Sequence, residues 1–215
     1  MNDLAIITLS YEGLATARRL NRAFSGSSLH AYNAVTALDA EPFNRLSHLL
    51  KRLWTTRKKI VVFAPIGAVV RSLANNIESK YTDPAIVVAD IYGRWIIPIL
   101  SSHEGGANKL AFDVANILGS EPVITTTKEA TKNIIVGIGC RRNVLSNQIV
   151  NAIHKALGMV GLSISQVRLV ASICLKMEEK GLLEAANYLK LPLRFIPRED
   201  ILSSPTNFSK NRVVI

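Results

Sequence analysis

Residues 101–118 read SSHEGGANKLAFDVANIL, a stretch that sets titratable side chains beside unusual backbone freedom. An imidazole can take or give a proton near neutral pH, which makes His103 a candidate acid or base, and Glu104 stands next to it as a partner or as a base in its own right. Gly105 and Gly106 permit positive φ and the close approach of a ligand to the backbone. Asn108 and Lys109 then open an apolar-patterned helix. The first amides of such a helix, with the positive end of its dipole, suit a carboxylate or an oxyanion developing on a carbonyl. An apolar run precedes the motif, so the turn is expected at the carboxyl end of a buried strand, where open α/β sheets bind ligands. Adjacent strand residues point to opposite faces, so His103 and Glu104 share a site only if the turn has already begun. A plainer alternative is that His103 and Asn108 cap the helix and close the loop. A zinc-protease reading fails, because Ala107 occupies the position where the second histidine would be required.

A second constellation is GIGCRRN, residues 137–143. Gly137 and Gly139 after a strand suggest a dinucleotide fingerprint, but Arg142 stands where its third glycine belongs. Arg141 and Arg142 at a helix start fit carboxylate binding better, since guanidinium groups hold carboxylates bidentately. Cys140 there is either a nucleophile whose pKa is lowered by the arginines and the helix end, or a small packing thiol. Ser172 and Lys176, in ASICLK, close the next strand and could border the same cleft; Lys176 is equally readable as a surface charge. Thr125 and Thr126, at the end of PVITTT, offer hydroxyl donors or are structural.

Positioning these turns requires alternating strands and helices. Strand patterns fall near residues 4–9, 29–32, 59–64, 85–90, 94–100, 122–127, 134–140, 167–176 and 192–197, with helical patterns near 13–24, 43–54, 65–79, 107–118, 143–161 and 181–191. The turn at 91–93 suits a β-hairpin. The expected fold class is α/β: two α/β domains with mainly parallel sheets flanked by helices, residues 1–130 and 131–215, with the boundary near 128–132.

Composition narrows the function classes. Hydrophobic residues make up 48% and charged residues 20%, ordinary for a globular protein. Twenty-six Lys and Arg against 16 Asp and Glu give a net charge of +10, which attracts polyanions. Aromatics are 6% and are not interleaved with the basic residues as a base-stacking platform needs, so nucleic acid is not expected as a partner. Two cysteines and an N-terminus without a secretory pattern point to a reducing cytoplasm. The longest apolar run, from Ile60, is broken by Pro65 and Gly67 and is shorter than the roughly 20 residues a bilayer demands.

IGAVVRSLA, TDPAIVVAD, LSSHEGGANKLA and PVITTT, followed by GIGCRR, ASICLK and GLLEAANYLKLPLRF, stand in order along nearly the whole chain. Together they resemble the cobalamin biosynthesis protein G (CbiG) family, and the second half is similar to the stand-alone CobE proteins. The resemblance implies hydrolysis of cobalt-precorrin-5A in the anaerobic corrin pathway. The δ-lactone is opened and a two-carbon fragment leaves as acetaldehyde, giving cobalt-precorrin-5B. It implies no resident cofactor or metal, because cobalt is carried by the substrate, and it gives the positive charge a counterpart in a macrocycle fringed with carboxylates. His103 is then the expected base with Glu104 beside it, and the amides near Gly105 and Gly106 the oxyanion donors. Arg71, Lys109, Arg141 and Arg142 are expected to hold ring carboxylates across an interdomain cleft. Other corrin-pathway enzymes and a second copy of the chain are the expected protein partners. In the family a longer segment commonly separates the ITTT and GIGCRR strands, and the C-terminal region commonly continues past the position of Ile215. Asn143 stands where glycine is common, and Glu104 at a position that varies. Two alternatives stand beside this activity: a carrier that binds a corrinoid intermediate without hydrolysing it, and an α/β protein binding a nucleotide or sugar phosphate.

Overall fold

A computed structural model describes residues 3–204 of the chain. They divide into two compact units, with the boundary between Thr126 and Thr127.

The first unit is a seven-stranded sheet. Its strands are β1 (Leu4–Thr8), β2 (Ser28–Tyr32), β3 (Glu41–Phe43), β4 (Lys59–Phe63), β5 (Ala85–Ala89), β6 (Trp95–Leu100) and β7 (Glu121–Pro122), in spatial order β3-β2-β1-β4-β5-β6-β7. β1 to β5 are mutually parallel; the hairpin turns β6 antiparallel to β5, and β7 runs parallel to β6. Strands β1, β4 and β5 are apolar at consecutive positions because helices cover both faces. Leu4, Ile6, Val61, Phe63 and Val87 pack on one side with α1 (Tyr11–Ala23) and α4 (Ala107–Leu118). Ala5, Ile7, Ile60, Val62 and Val88 pack on the other with α2 (Leu46–Trp54) and α3 (Ile66–Leu73). Asp90 sets the hairpin by accepting the Arg94 and Trp95 amides at 2.6 and 2.9 Å.

The second unit is a parallel three-stranded sheet, β10-β9-β8, of β8 (Ile134–Gly137), β9 (Val167–Ile173) and β10 (Leu193–Ile196). Helices α6 (Ser146–Met159) and α7 (Lys180–Leu189) pack on it through Ile149, Ile153, Leu182 and Ala185. Two short helices, α5 (Thr127–Ala130) and α8 (Arg198–Ser203), lie outside this core.

The mixed α/β class with mainly parallel, helix-flanked sheets is as expected; several element bounds are not. The helix expected from residue 43 begins at Leu46, because Phe43 is taken into β3, opposite Tyr32, whose ring it meets edge-on at 6.0 Å. The helix expected to reach residue 79 stops at Leu73, where Asn75 and Asn76 follow. Asp83 then turns the chain by accepting the Glu78 and Ser79 amides, each at 3.0 Å. Of the PVITTT strand only Pro122 is kept, in β7, and α5 runs from Thr127 into the polar KEATKN segment.

Candidate active site

The HEGGAN turn begins where β6 ends. Ser101 takes φ 53° and is buried, its hydroxyl donating to the Asp83 carbonyl at 2.9 Å. Its own carbonyl accepts the Ala107 amide at 3.2 Å, and that of Ser102 accepts the Asn108 amide at 2.8 Å. The expectation that the first helical amides are open for a ligand is therefore corrected: these two are consumed in closing the loop. The amides of Gly105 and Gly106 have no acceptor among the described residues, and they are the donors left for an oxyanion. The two glycines serve different needs. A Cβ on Gly105 would overlap the Ser101 side chain and lie 3.0 Å from its carbonyl oxygen; Gly106 has φ 85° with open space around it and is the helix N-cap. The N-cap glycine has no side chain to cap α4, and the side-chain amide of Asn108 is turned to Thr126 rather than to the helix start.

His103 and Glu104 are both exposed in this turn. Glu104 Oε1 lies 3.2 Å from Lys80 Nζ. Its carboxyl is held below the ordinary value, chiefly by its own amide, then by Lys80, with the nearby charge of His103 adding to the effect. A carboxylate so stabilised is a weaker base than a free one. Asn108 is buried; its Nδ2 donates to Thr126 Oγ1 at 3.1 Å, while its Oδ1 has no partner among the described residues. Thr125 is exposed in the same loop. Lys109 pairs with Asp113 at 2.8 Å one turn along the exposed face of α4.

Topology separates Arg71 from this turn. Because β6 runs against β1 to β5, the HEGGAN turn lies at the edge of the sheet where those five strands begin. Arg71 instead reaches back to the Gly67 carbonyl, at 3.5 Å, in the first turn of α3. That turn follows the carboxyl end of β4, at the opposite edge. The structure thus brings His103, Glu104, Gly105, Gly106, Asn108 and Thr126 together and leaves Arg71 outside the group. The strand order reverses direction between β1 and β4, so the HEGGAN turn is also away from the switch point at which such sheets commonly bind ligands.

In the second unit the GIGCRRN turn does follow the carboxyl end of a parallel sheet. Ser172 Oγ donates to the Ile138 carbonyl at 2.8 Å, pinning the start of the turn. Gly137 and Gly139 border open space, and Arg141 and Arg142 are exposed. Asn143 takes φ 60°, a left-handed conformation that asparagine and glycine tolerate best, and its amide donates to Glu179 Oε1 at 2.8 Å. Lys176, partly buried, lies 3.4 Å from Glu179 Oε2. Of the two readings of Cys140, the nucleophile needs a lowered pKa, and the surroundings act the other way. Its thiol is pushed up, chiefly by burial, against an opposing effect of Lys176, with Glu179 adding a smaller push upward. The helix end invoked for it is absent, since α6 starts only at Ser146. Cys140 packs against the core of this unit, which is the plainer of its two readings.

Lys80 and Glu179 were not singled out in the sequence. Lys80 lies 24 positions before its partner and carries no local signal. Glu179, an acid just before a helix start in LKMEEKG, was findable as a residue suited to a helix N-terminus. Among the described residues no group of three or more His, Cys, Asp or Glu could hold a metal ion, and no helix is long and apolar enough to cross a membrane.

Fold and turns define a two-unit α/β protein whose polar, glycine-bearing loops sit at strand ends in the manner of small-molecule sites. Two family models match it in order, Cobalamin synthesis G N-terminal over residues 48–129 and Cobalamin synthesis G C-terminus over residues 134–214. The chain belongs to the cobalamin synthesis G family. It is 35% identical over 146 residues to the cobalt-precorrin-5A hydrolase of Priestia megaterium, covering 65% of this chain and 39% of that protein. It is 32% identical over 136 residues to the enzyme of the same name from Salmonella typhimurium, covering 60% and 37%. A 69-residue match at 30% identity links it to protein CobE of Sinorhizobium sp, covering 32% and 45%. The chain thus spans about two-fifths of the length of the two hydrolases it matches.

Proposed function

We propose that the protein acts as a cobalt-precorrin-5A hydrolase. The observation that carries this reading is the ordered match of both halves of the chain to one family whose similar members bear that name. The HEGGAN turn supplies parts suited to the reaction. His103 takes a proton from a water that attacks the lactone carbonyl, and the Gly105 and Gly106 amides stabilise the tetrahedral oxyanion. Collapse of that intermediate breaks the ring C–O bond, leaving a free carboxylate and a hydroxyl. The hydroxyl then loses its proton, the adjacent carbon–carbon bond breaks with its electron pair passing to the macrocycle, and acetaldehyde departs. Glu104, whose carboxylate is favoured first by its own amide and then by Lys80, serves as an anionic neighbour to the imidazolium formed at His103 rather than as the base itself.

In the second unit Arg141, Arg142 and Lys176 suit the peripheral acetates and propionates, since a guanidinium matches a carboxylate edge to edge. No resident cofactor is needed, the cobalt arriving with the substrate. Cytoplasmic residence and a homodimer belong to the same proposal. Anaerobic incubation with cobalt-precorrin-5A tests it: stoichiometric acetaldehyde release is expected. Tight binding with no acetaldehyde would make the protein a carrier instead.

A further inference from the structure

A cavity of about 680 Å³ opens in the second unit, where the turn after Cys140 faces the first turn of α7. Arg142, Lys176 and Lys180 line it together with Glu178, Glu179 and Glu184. Such a balanced set of charges would favour neither cation nor anion if all were equally free. They are not. Glu179 is only 10% exposed in its side chain, and both of its oxygens are engaged, one by the Asn143 amide at 2.8 Å and the other by Lys176 at 3.4 Å. Asn143 is the residue at which the arginine turn reverses through a left-handed conformation. The close approach of α7 is fixed as well: a Cβ on Gly181 would overlap the Val144 carbonyl.

We infer that Glu179 is a positioning residue, which through the Asn143 amide ties the Arg141–Arg142 turn to the cavity wall beside Lys176, so that Arg142 and Lys176 grip a carboxylate of a polycarboxylate macrocycle. This rests on the proposed function for the class of ligand, and it adds a residue that motif reading left out. Its charge is spent on an amide and an ammonium, so it organises an anion site without opposing the anion as a free carboxylate would.

Fluorescence titration of the full chain with uroporphyrin III, an octacarboxylate tetrapyrrole, tests the inference. Glu179→Gln keeps an oxygen able to accept from Asn143 and releases Lys176, so it should bind the probe as tightly as the unaltered protein or more tightly. Glu179→Ala should bind about tenfold more weakly, and so should Lys176→Met, which serves if the alanine variant does not fold. Added salt should weaken binding by the unaltered chain. Tighter binding by both Glu179 variants would mean that its charge merely repels the ligand. Equal affinity in the Ala and Gln variants, with lowered thermal stability in both, would mean a packing role only. Each of these outcomes overturns the inference, as does full affinity in Lys176→Met or absence of probe binding by the unaltered chain. Acetaldehyde release from cobalt-precorrin-5A is read on the same samples. Its loss with the affinity order intact would remove the hydrolase reading and leave the positioning role standing.

Discussion

The HEGGAN and GIGCRRN turns look alike on paper, each a pair of glycines among polar residues between a strand and a helix, yet the structure builds them oppositely. The first is closed tightly on itself. Ser101 and Ser102 carbonyls take the leading helical amides, Gly105 presses on Ser101, and the chemically able side chains stand exposed. The second is loose in its glycines, which border open space, and is held from a distance by Glu179, Ser172 and the approach of α7. A self-closed turn can hold a reacting group in one place. A turn anchored by a remote carboxylate beside a cavity suits the grip on a substrate's periphery.

Glycine substitutions break this contrast most sharply. Gly181→Ala should have the largest effect, above about 3 kcal/mol, because the obstructing atoms are the Val144 backbone and cannot swing away. Gly105→Ala should cost about 2 kcal/mol, since Ser101 is a small side chain already committed to Asp83. Gly106→Ala should cost about 1 kcal/mol, purely for its left-handed φ. Hydrogen exchange resolved along the chain checks the order and its location: protection should fall within residues 127–204 for the first variant and within 3–126 for the other two. Loss of protection throughout the chain in every case would erase the distinction between the turns.

A smaller effect sharpens the reading of the second turn. Because burial raises the Cys140 pKa, its thiol stays protonated to higher pH than an ordinary cysteine. Iodoacetamide alkylation of a Cys174→Ala variant should be slow at neutrality and rise only above the usual thiol value of about 8.5. Rapid alkylation at pH 7 would restore the nucleophile reading. The smallest effect is expected for Asn143→Gly, within about 0.5 kcal/mol of neutral by denaturant unfolding, because glycine adopts the observed φ freely. Asn143→Ala should cost about 1 kcal/mol for the same reason.

Much of this was legible in the residues. Consecutive apolar positions in β1, β4 and β5 announced a sheet covered on both faces, and the turn after Asp90 announced the hairpin. The hairpin also entailed that β6 runs backwards, and with it that HEGGAN lies at the edge of the sheet opposite Arg71; periodicity marks strands but not their direction, so this needed the observed pairing. Phe43 was lost to β3 because pairing with β2 outweighed a helical pattern, a tertiary effect invisible in a short window. The two readings of Cys140 stayed open in the sequence because they turn on a helix boundary; with α6 starting only at Ser146 the dipole is removed and desolvation decides for the packing thiol. Lys80 and Glu179 act on Glu104 and Asn143 from 24 and 36 positions away. Only the fold brings such residues together.

The most direct test of the central claim is anaerobic turnover of cobalt-precorrin-5A in ¹⁸O-labelled water, by the unaltered chain and by His103→Ala. The unaltered protein should release one acetaldehyde per substrate and place one ¹⁸O in the newly freed carboxylate. His103→Ala should bind the substrate and leave the lactone intact. Full turnover by His103→Ala, or acetaldehyde released without label in the product, would contradict a water activated by His103 at this turn.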